Sequence, residues 1–375
     1  MDFLLEGVKA MATVAGAKMA VMWLVGGLLI YLGIKKNMEP ALLIPMGFGA
    51  ILVNLPFTGV IGDNGIIQWL FEVGIEASEA LPLLLFIGIG AMIDFGPLLT
   101  NPKLMFFGAA AQVGIFVAII IGTLLGFDLV DAACIGIIGA ADGPTAILVA
   151  NRFQTQYLPQ IMVVAYSYMA LVPMIQPAVI KACTTKKERL IRMPYNPQQV
   201  SKTTRILFPI IVTIIAGLIA PMSVALVGFL MFGNLIRECG VLDNLSETAS
   251  KILANLVTLL LGITIAFSMT AERFVSVDTL IIMLLGLFAF AFDTVGGVML
   301  AKFVNLFTKN KINPMIGGAG ISAFPMSARV VQKLGVEADP ENHLLMHSIG
   351  VNVSGQVASV IAGGVLLSIL PGMLG

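Results

Sequence analysis

From Leu104 to Gly126 the chain runs 23 residues without one charged side chain, and similar runs recur from end to end. A stretch of that kind, rising about 1.5 Å per residue as a helix, is long enough to cross a hydrocarbon core of about 30 Å. Only 11% of the 375 residues are charged and 58% are apolar, with a mean hydropathy of +0.99; soluble domains carry about 25% charged residues. The chain therefore reads as an all-α polytopic membrane protein. Windows of about 20 residues place spans near 17 to 34, 41 to 61, 80 to 99, 104 to 126, 159 to 182, 205 to 220, 222 to 237, 253 to 270, 278 to 300 and 343 to 371, ten in all.

Charge and composition exclude several classes. The 21 basic residues balance 21 acidic ones, which leaves no field for nucleic acid. Two histidines, His343 and His347, are too few for a histidine-built metal centre. The chain has no GxxxxGK[ST] phosphate loop and no soluble block large enough for an ATPase domain, so it does not drive ATP-powered pumping alone. Cys134, Cys183 and Cys239 show no pairing pattern and are expected as small core residues.

Two apolar stretches do not suit simple spanning helices. Residues 129 to 150 contain Gly139, Gly143 and Pro144, and residues 312 to 330 contain Pro314, Gly317, Gly318, Gly320 and Pro325. Both are expected to be re-entrant or unwound, because backbone freed at membrane depth survives only where protein or a wet cavity satisfies it.

The segment from Lys181 to Arg205 carries seven basic residues against one acid and is expected to face the cytoplasm. Alternating the spans outward from it gathers seventeen of the 21 basic residues on that side, leaving Lys9, Lys18, Arg152 and Arg273 opposite. The chain also repeats itself at an offset of about 175 to 181 residues. GFGAILVNLPFTGVIGDN (47 to 64) matches GFLMFGNLIRECGVLDN (228 to 244), and IGAADGPTAILVANR (138 to 152) matches IGGAGISAFPMSAR (316 to 329). Two repeats, 17 to 182 and 205 to 371, then flank a basic linker at 183 to 204. Five spans and one broken segment in each force the second repeat to enter the membrane inverted.

Inversion brings the broken segments to the bilayer centre from opposite faces. Asp142, in GAADGPT, sits at the first tip. A carboxylate at depth costs at least about 2.5–3.5 kcal/mol on insertion scales and marks a functional site unless it only caps a half-helix. Asp293 is the other deep acid. The second segment offers neutral oxygens instead, from Asn313, Ser322 and freed carbonyls, with Asn352, Ser354, Tyr166 and Tyr168 on the spans that follow. Arg329 ends the second segment, where it either clamps an anion or anchors the chain inside.

At GAADGPTAI (139 to 147), AYSYMALVPMIQP (165 to 177), NPMIGGAGISAFPMSARV (313 to 330) and NVSGQVAS (352 to 359), the sequence resembles the membrane-embedded beta subunits of the sodium-translocating, biotin-dependent decarboxylases. That family acts on oxaloacetate, methylmalonyl-CoA and glutaconyl-CoA, and the resemblance covers nearly the whole chain. It implies a subunit of the bacterial cytoplasmic membrane that decarboxylates carboxybiotin, consumes an external proton and exports sodium. By motif position it implies a sodium set of Asp142, Asn313, Gly317, Ser322 and Asn352, with Asp142, Tyr168, Ser322 and Arg329 in the chemistry and Arg329 on carboxybiotin. It further implies a biotin carrier protein, a cytoplasmic carboxyltransferase alpha subunit and a small gamma or delta membrane subunit as partners, with several copies of this chain in the complex. Biotin is expected on a partner, since the only Ala-Lys-Met run, Ala17 to Met19, opens an apolar helix. A sodium-coupled solute transporter with inverted repeats, or a plain membrane anchor, would share much of this pattern.

Overall fold

A computed structural model describes residues 5–62, 64–194 and 199–374, and every regular element among them is helical. We number the principal helices α1 (Val14–Lys36), α2 (Pro40–Val53), α3 (Ala80–Met92), α4 (Pro102–Leu124), α5 (Leu129–Ala140), α6 (Gly143–Arg152), α7 (Leu158–Cys183), α8 (Lys202–Ile219), α9 (Pro221–Cys239), α10 (Asp243–Met269), α11 (Val277–Phe307), α12 (Met326–Ala338) and α13 (Leu345–Leu374). Among the described residues eight helices are long and apolar enough to cross a membrane, and the pair Ile66–Glu76 with α3, bent by 65° at its break, makes a ninth.

Ten spans were expected, and the difference lies in two places. The stretch 41 to 61 is helical only as α2, whose 14 residues cover about 21 Å. It stops at Asn54, whose side-chain amide donates to the carbonyls of Ala50 and Met269 at 2.7 Å while its oxygen accepts the Ala271 N–H at 2.7 Å. The stretch 80 to 99 is helical only to Met92, because the chain becomes extended at Ile93 and Pro97 opens a separate turn, Gly96–Thr100. There Asn234 of α9 donates to the carbonyl of Ile93 at 3.0 Å. Each asparagine thus satisfies a carbonyl that a terminating helix leaves open.

These bonds accompany the main packing. α2 lies against α10, and α3 lies against α9. The second pair is held by glycines at backbone contact: a Cβ on Gly90 would stand 1.9 Å from the Leu230 carbonyl oxygen, and one on Gly233 would stand 2.1 Å from that of Ile87. Small residues that let backbones touch are the usual means of joining helices in lipid, where apolar burial adds little. α11 runs through the centre, against α4, α7 and the tight helical turn Pro314–Gly320.

Both stretches expected to be broken are broken. α5 and α6 are separated at Ala141, which adopts left-handed φ of 53°, and Asp142. The second consists of Pro314–Gly320, a non-helical tip at 321 to 325, and α12, which continues to Ala338 rather than ending near 330. Basic residues of the linker, α7, α11 and α12 gather into one basic end of the bundle. There Lys181 pairs with Glu337 at 3.1 Å, Arg192 with Asp339 and Glu341 at 2.5 Å each, and Lys302 with Glu188 at 3.2 Å. Cys134 is buried as expected, whereas Cys183 and Cys239 are only half-buried; all three are free.

Candidate functional site

Local sequence fixes the first tip. Pro144 is tolerated in the first turn of α6, where its missing N–H has no acceptor to lose. Asp142 is the residue before that helix, and its carboxylate caps it: Oδ1 accepts the Thr145 N–H at 3.4 Å and Oδ2 the Thr145 hydroxyl at 2.7 Å. Two side chains of α13 reach the same Oδ2, the Ser359 hydroxyl at 2.7 Å and the Gln356 amide at 3.4 Å. Asp142 is 3% exposed.

The second tip meets the first here. The Ser322 N–H donates to the Ala140 carbonyl at 3.0 Å, and the Ser322 hydroxyl faces the Asp142 carboxylate without closing a bond to it. Asn352 donates to the Ile321 carbonyl at 2.7 Å, and its oxygen has no partner. Asn352, Gln356 and Ser359 are spaced four and three residues apart, so they share one face of α13 and turn it toward the crossing. From α7, the Tyr166 ring covers Gly143 so closely that a Cβ there would stand 2.6 Å from the ring, and the Tyr166 hydroxyl is unpartnered.

Leaving a buried oxygen or hydroxyl unsatisfied costs about 1–3 kcal/mol; two of them, on Tyr166 and Ser322, lie beside the Asp142 carboxylate, and a third, on Asn352, lies one turn of α13 from Gln356. Among the described residues there is no group of three or more His, Cys, Asp or Glu that can hold a metal. The cluster suits a small hard cation satisfied by neutral oxygens and a single carboxylate.

The other residues named from sequence lie elsewhere. Tyr168 is about 200° around α7 from Tyr166. Its ring packs on Gly286 of α11, and its hydroxyl donates to the Met283 carbonyl. Asn313 holds the basic linker: its amide donates to the carbonyls of Arg189 at 3.0 Å and Ile191 at 2.8 Å, and its oxygen accepts the Met315 N–H at 3.1 Å. Gly317 is a close-packing residue, with its carbonyl against Gly297 of α11. Asp293 closes a break in α4, accepting the Gly114 N–H at 2.5 Å on Oδ1, while its Oδ2 is free.

Arg329 opens into a cavity of about 470 Å³ at the basic end, shared with Glu39, Lys181, Lys333 and Glu337. Thr145, Gln356 and Ser359 were not singled out from sequence, although Thr145 follows Asp142 at capping distance and the polar stripe on α13 was readable. Glu39 carried no such signal, since the residues that share its cavity come from α7 and α12.

The family described as the Na+-transporting oxaloacetate decarboxylase beta subunit matches residues 18–370. The methylmalonyl-CoA decarboxylase subunit beta of Propionigenium modestum is 46% identical over 93% of this chain and 94% of its own. For the glutaconyl-CoA decarboxylase subunit beta of Acidaminococcus fermentans the figures are 48%, 94% and 93%. The oxaloacetate decarboxylase beta chain 2 of Salmonella typhi is 42% identical over 98% of both chains. With the match running through every helix that builds the crossing, the chain belongs to the beta-subunit family of the Na+-transporting decarboxylases.

Proposed function

We propose that this chain is the membrane subunit of a sodium pump, in which decarboxylation of carboxybiotin at the basic end drives sodium outward past Asp142 in exchange for an external proton. The observation that carries the reading is the Asp142 carboxylate, buried where two broken segments cross, beside the unpartnered hydroxyls of Tyr166 and Ser322. A carboxylate in that setting takes either a cation or a proton, since burial favours its neutral form and a bound cation favours its charged form. Sodium is the cargo, with Ser322, Asn352 and Tyr166 offering neutral oxygens not already bonded. Asn313 and Gly317, part of the sodium set by motif, act through the linker and the α11 seam. Tyr168 remains the hydroxyl proposed for proton relay.

Carboxybiotin arrives on a partner, a biotin carrier serviced by a carboxyltransferase alpha subunit, with a small gamma or delta membrane subunit and further copies of this chain completing the complex. Arg329 holds its carboxylate; a guanidinium fork matches that group in two bonds. The basic end is cytoplasmic by the positive-inside rule.

The architecture fits two inverted repeats, 17 to 182 and 205 to 371, joined by the linker 183 to 204. Support comes from the paired clasps: Asn54 and Asn234, aligned by the internal repeat, each bind the end of a helix from the other half.

The test is Asp142→Asn in the intact complex in proteoliposomes. Sodium uptake and sodium-stimulated decarboxylation should both fall at least about 100-fold while the variant stays folded. Wild-type sodium stimulation in that variant overturns the reading. Decarboxylation that persists without sodium movement would place coupling elsewhere.

A further inference from the structure

The cavity that holds Arg329 contains a carboxyl group that the proposed function leaves without a task. Glu39 lies between α1 and α2 and lines the cavity together with Arg329, Lys333 and Glu337 of α12 and Lys181 of α7. Its carboxyl makes no hydrogen bond to the helix it precedes. Arg329 is within electrostatic reach of it, but among the described residues Glu39 forms no ion pair. The backbone holds it there against preference: Glu39 and Asn37 both take left-handed φ, 37° and 51°, with Met38 buried between them. Asparagine tolerates that region at a helix end, but a glutamate adopts it only at a cost that its surroundings must impose, and such residues gather at functional sites.

Decarboxylation of N-carboxybiotin breaks the bond between a ureido nitrogen and the carboxyl carbon. The electron pair stays on nitrogen, CO2 leaves, and one proton must reach the ureido group. We infer that Glu39 is the general acid of this cavity, giving its carboxyl proton to the ureido group of carboxybiotin while Arg329 holds the departing carboxylate. The step leaves biotin with its N–H, free CO2 and Glu39 as a carboxylate. Glu39 is reset by one proton, which under the function proposed above, on which this inference rests, is the one released by Asp142.

The electrostatics favour the assignment. Burial raises the Glu39 carboxyl above the usual range, with Arg329 pulling the other way. Lys181 and Lys333 line the cavity beside Arg329, and Glu337, its other carboxylate, is engaged by Lys181 at 3.1 Å. An incoming carboxylate occupies Arg329 and adds a like charge, so substrate binding itself loads Glu39 with a proton. A carboxyl that burial holds toward its protonated form is the kind of group that can give a proton in this step.

The experiment follows decarboxylation of free N-carboxybiotin by the intact decarboxylase complex. Glu39→Gln should lower kcat about 100-fold, leave KM within about twofold, and abolish the limb along which wild-type kcat falls as pH rises through the Glu39 carboxyl. Glu39→Asp should keep that limb, displaced, and formate or acetate should restore part of the activity of Glu39→Ala. An unchanged kcat in Glu39→Gln overturns the inference, and so does a loss that small acids do not rescue and that leaves the pH profile as it was. Arg329→Ala distinguishes the two levels: an unchanged KM for carboxybiotin removes the cavity from the reaction and with it the proposed function, whereas a raised KM beside a normal Glu39→Gln sinks only the role of Glu39.

Discussion

The Ser322 N–H and the Ala140 carbonyl, 3.0 Å apart, join the two broken segments at the point where neither has helix to satisfy it. The bond belongs to the backbone, so it survives a change of side chain. Among the described residues the hydroxyl above it closes no hydrogen bond, and it faces Asp142.

Ser322→Ala should therefore separate architecture from ion handling. Folding in detergent should be unchanged within about 0.5 kcal/mol, because an unsatisfied hydroxyl is removed and no bond is lost. The sodium concentration for half-maximal decarboxylation should rise about tenfold. An unaltered sodium dependence would mean that the hydroxyl is not a ligand.

Tyr166 and Tyr168 make a matched pair for a second measurement. Tyr168→Phe strips the Met283 carbonyl of its donor and should lower thermal stability by about 1 kcal/mol. Tyr166→Phe removes an unpartnered hydroxyl beside Asp142 and should leave stability intact while weakening sodium activation several-fold. Sodium titrations and melting curves of both variants decide it; the reverse assignment follows if only Tyr168→Phe alters sodium activation.

Asn54 and Asn234 should differ in weight. Asn54 makes three buried bonds, and Asn234 makes one that reaches the end of α3. Alanine should cost roughly 2–3 kcal/mol at Asn54 and roughly 1 kcal/mol at Asn234, read from unfolding midpoints in mixed micelles. Equal losses would show that the helix ends, and not the asparagines, hold these junctions.

Asn313 is the sharpest case of a residue with two possible readings. Its bonds go to the linker carbonyls of Arg189 and Ile191. Asn313→Ala should thus speed tryptic cleavage after Lys186, Lys187 and Arg189 by about tenfold, with a smaller change in sodium activation. Arg192→Ala removes two ion pairs from an exposed side chain and should alter cleavage less, since such pairs contribute at most about 1 kcal/mol. If Asn313→Ala spares the linker and abolishes sodium activation, Asn313 is a ligand and not a strap.

Helix type, the membrane class and both breaks were legible because they follow from local chemistry: uncharged runs, and Gly and Pro where helices cannot continue. Asp142 was legible for the same reason. The short α2 and α3 were not, since apolar residues continue past Val53 and Met92 and the helices stop where Asn54 reaches the distant backbone of Met269 and Ala271 and where the distant Asn234 reaches Ile93. Neither was the choice between Tyr166 and Tyr168, two residues apart on one helix and equal in composition. Only the position of α11 against one face and the crossing against the other tells them apart. Glu39 was invisible because its neighbours come from α7 and α12.

At Gly90 and Gly233 the backbones of α3 and α9 touch with no side chain between them. One helix precedes the basic linker and the other follows it, so the two cannot part like clamshell lids without losing this contact. Under the proposed function, opening the crossing to one face and then the other falls to pieces that move past this plate, which makes it the reference frame against which any moving part should be measured.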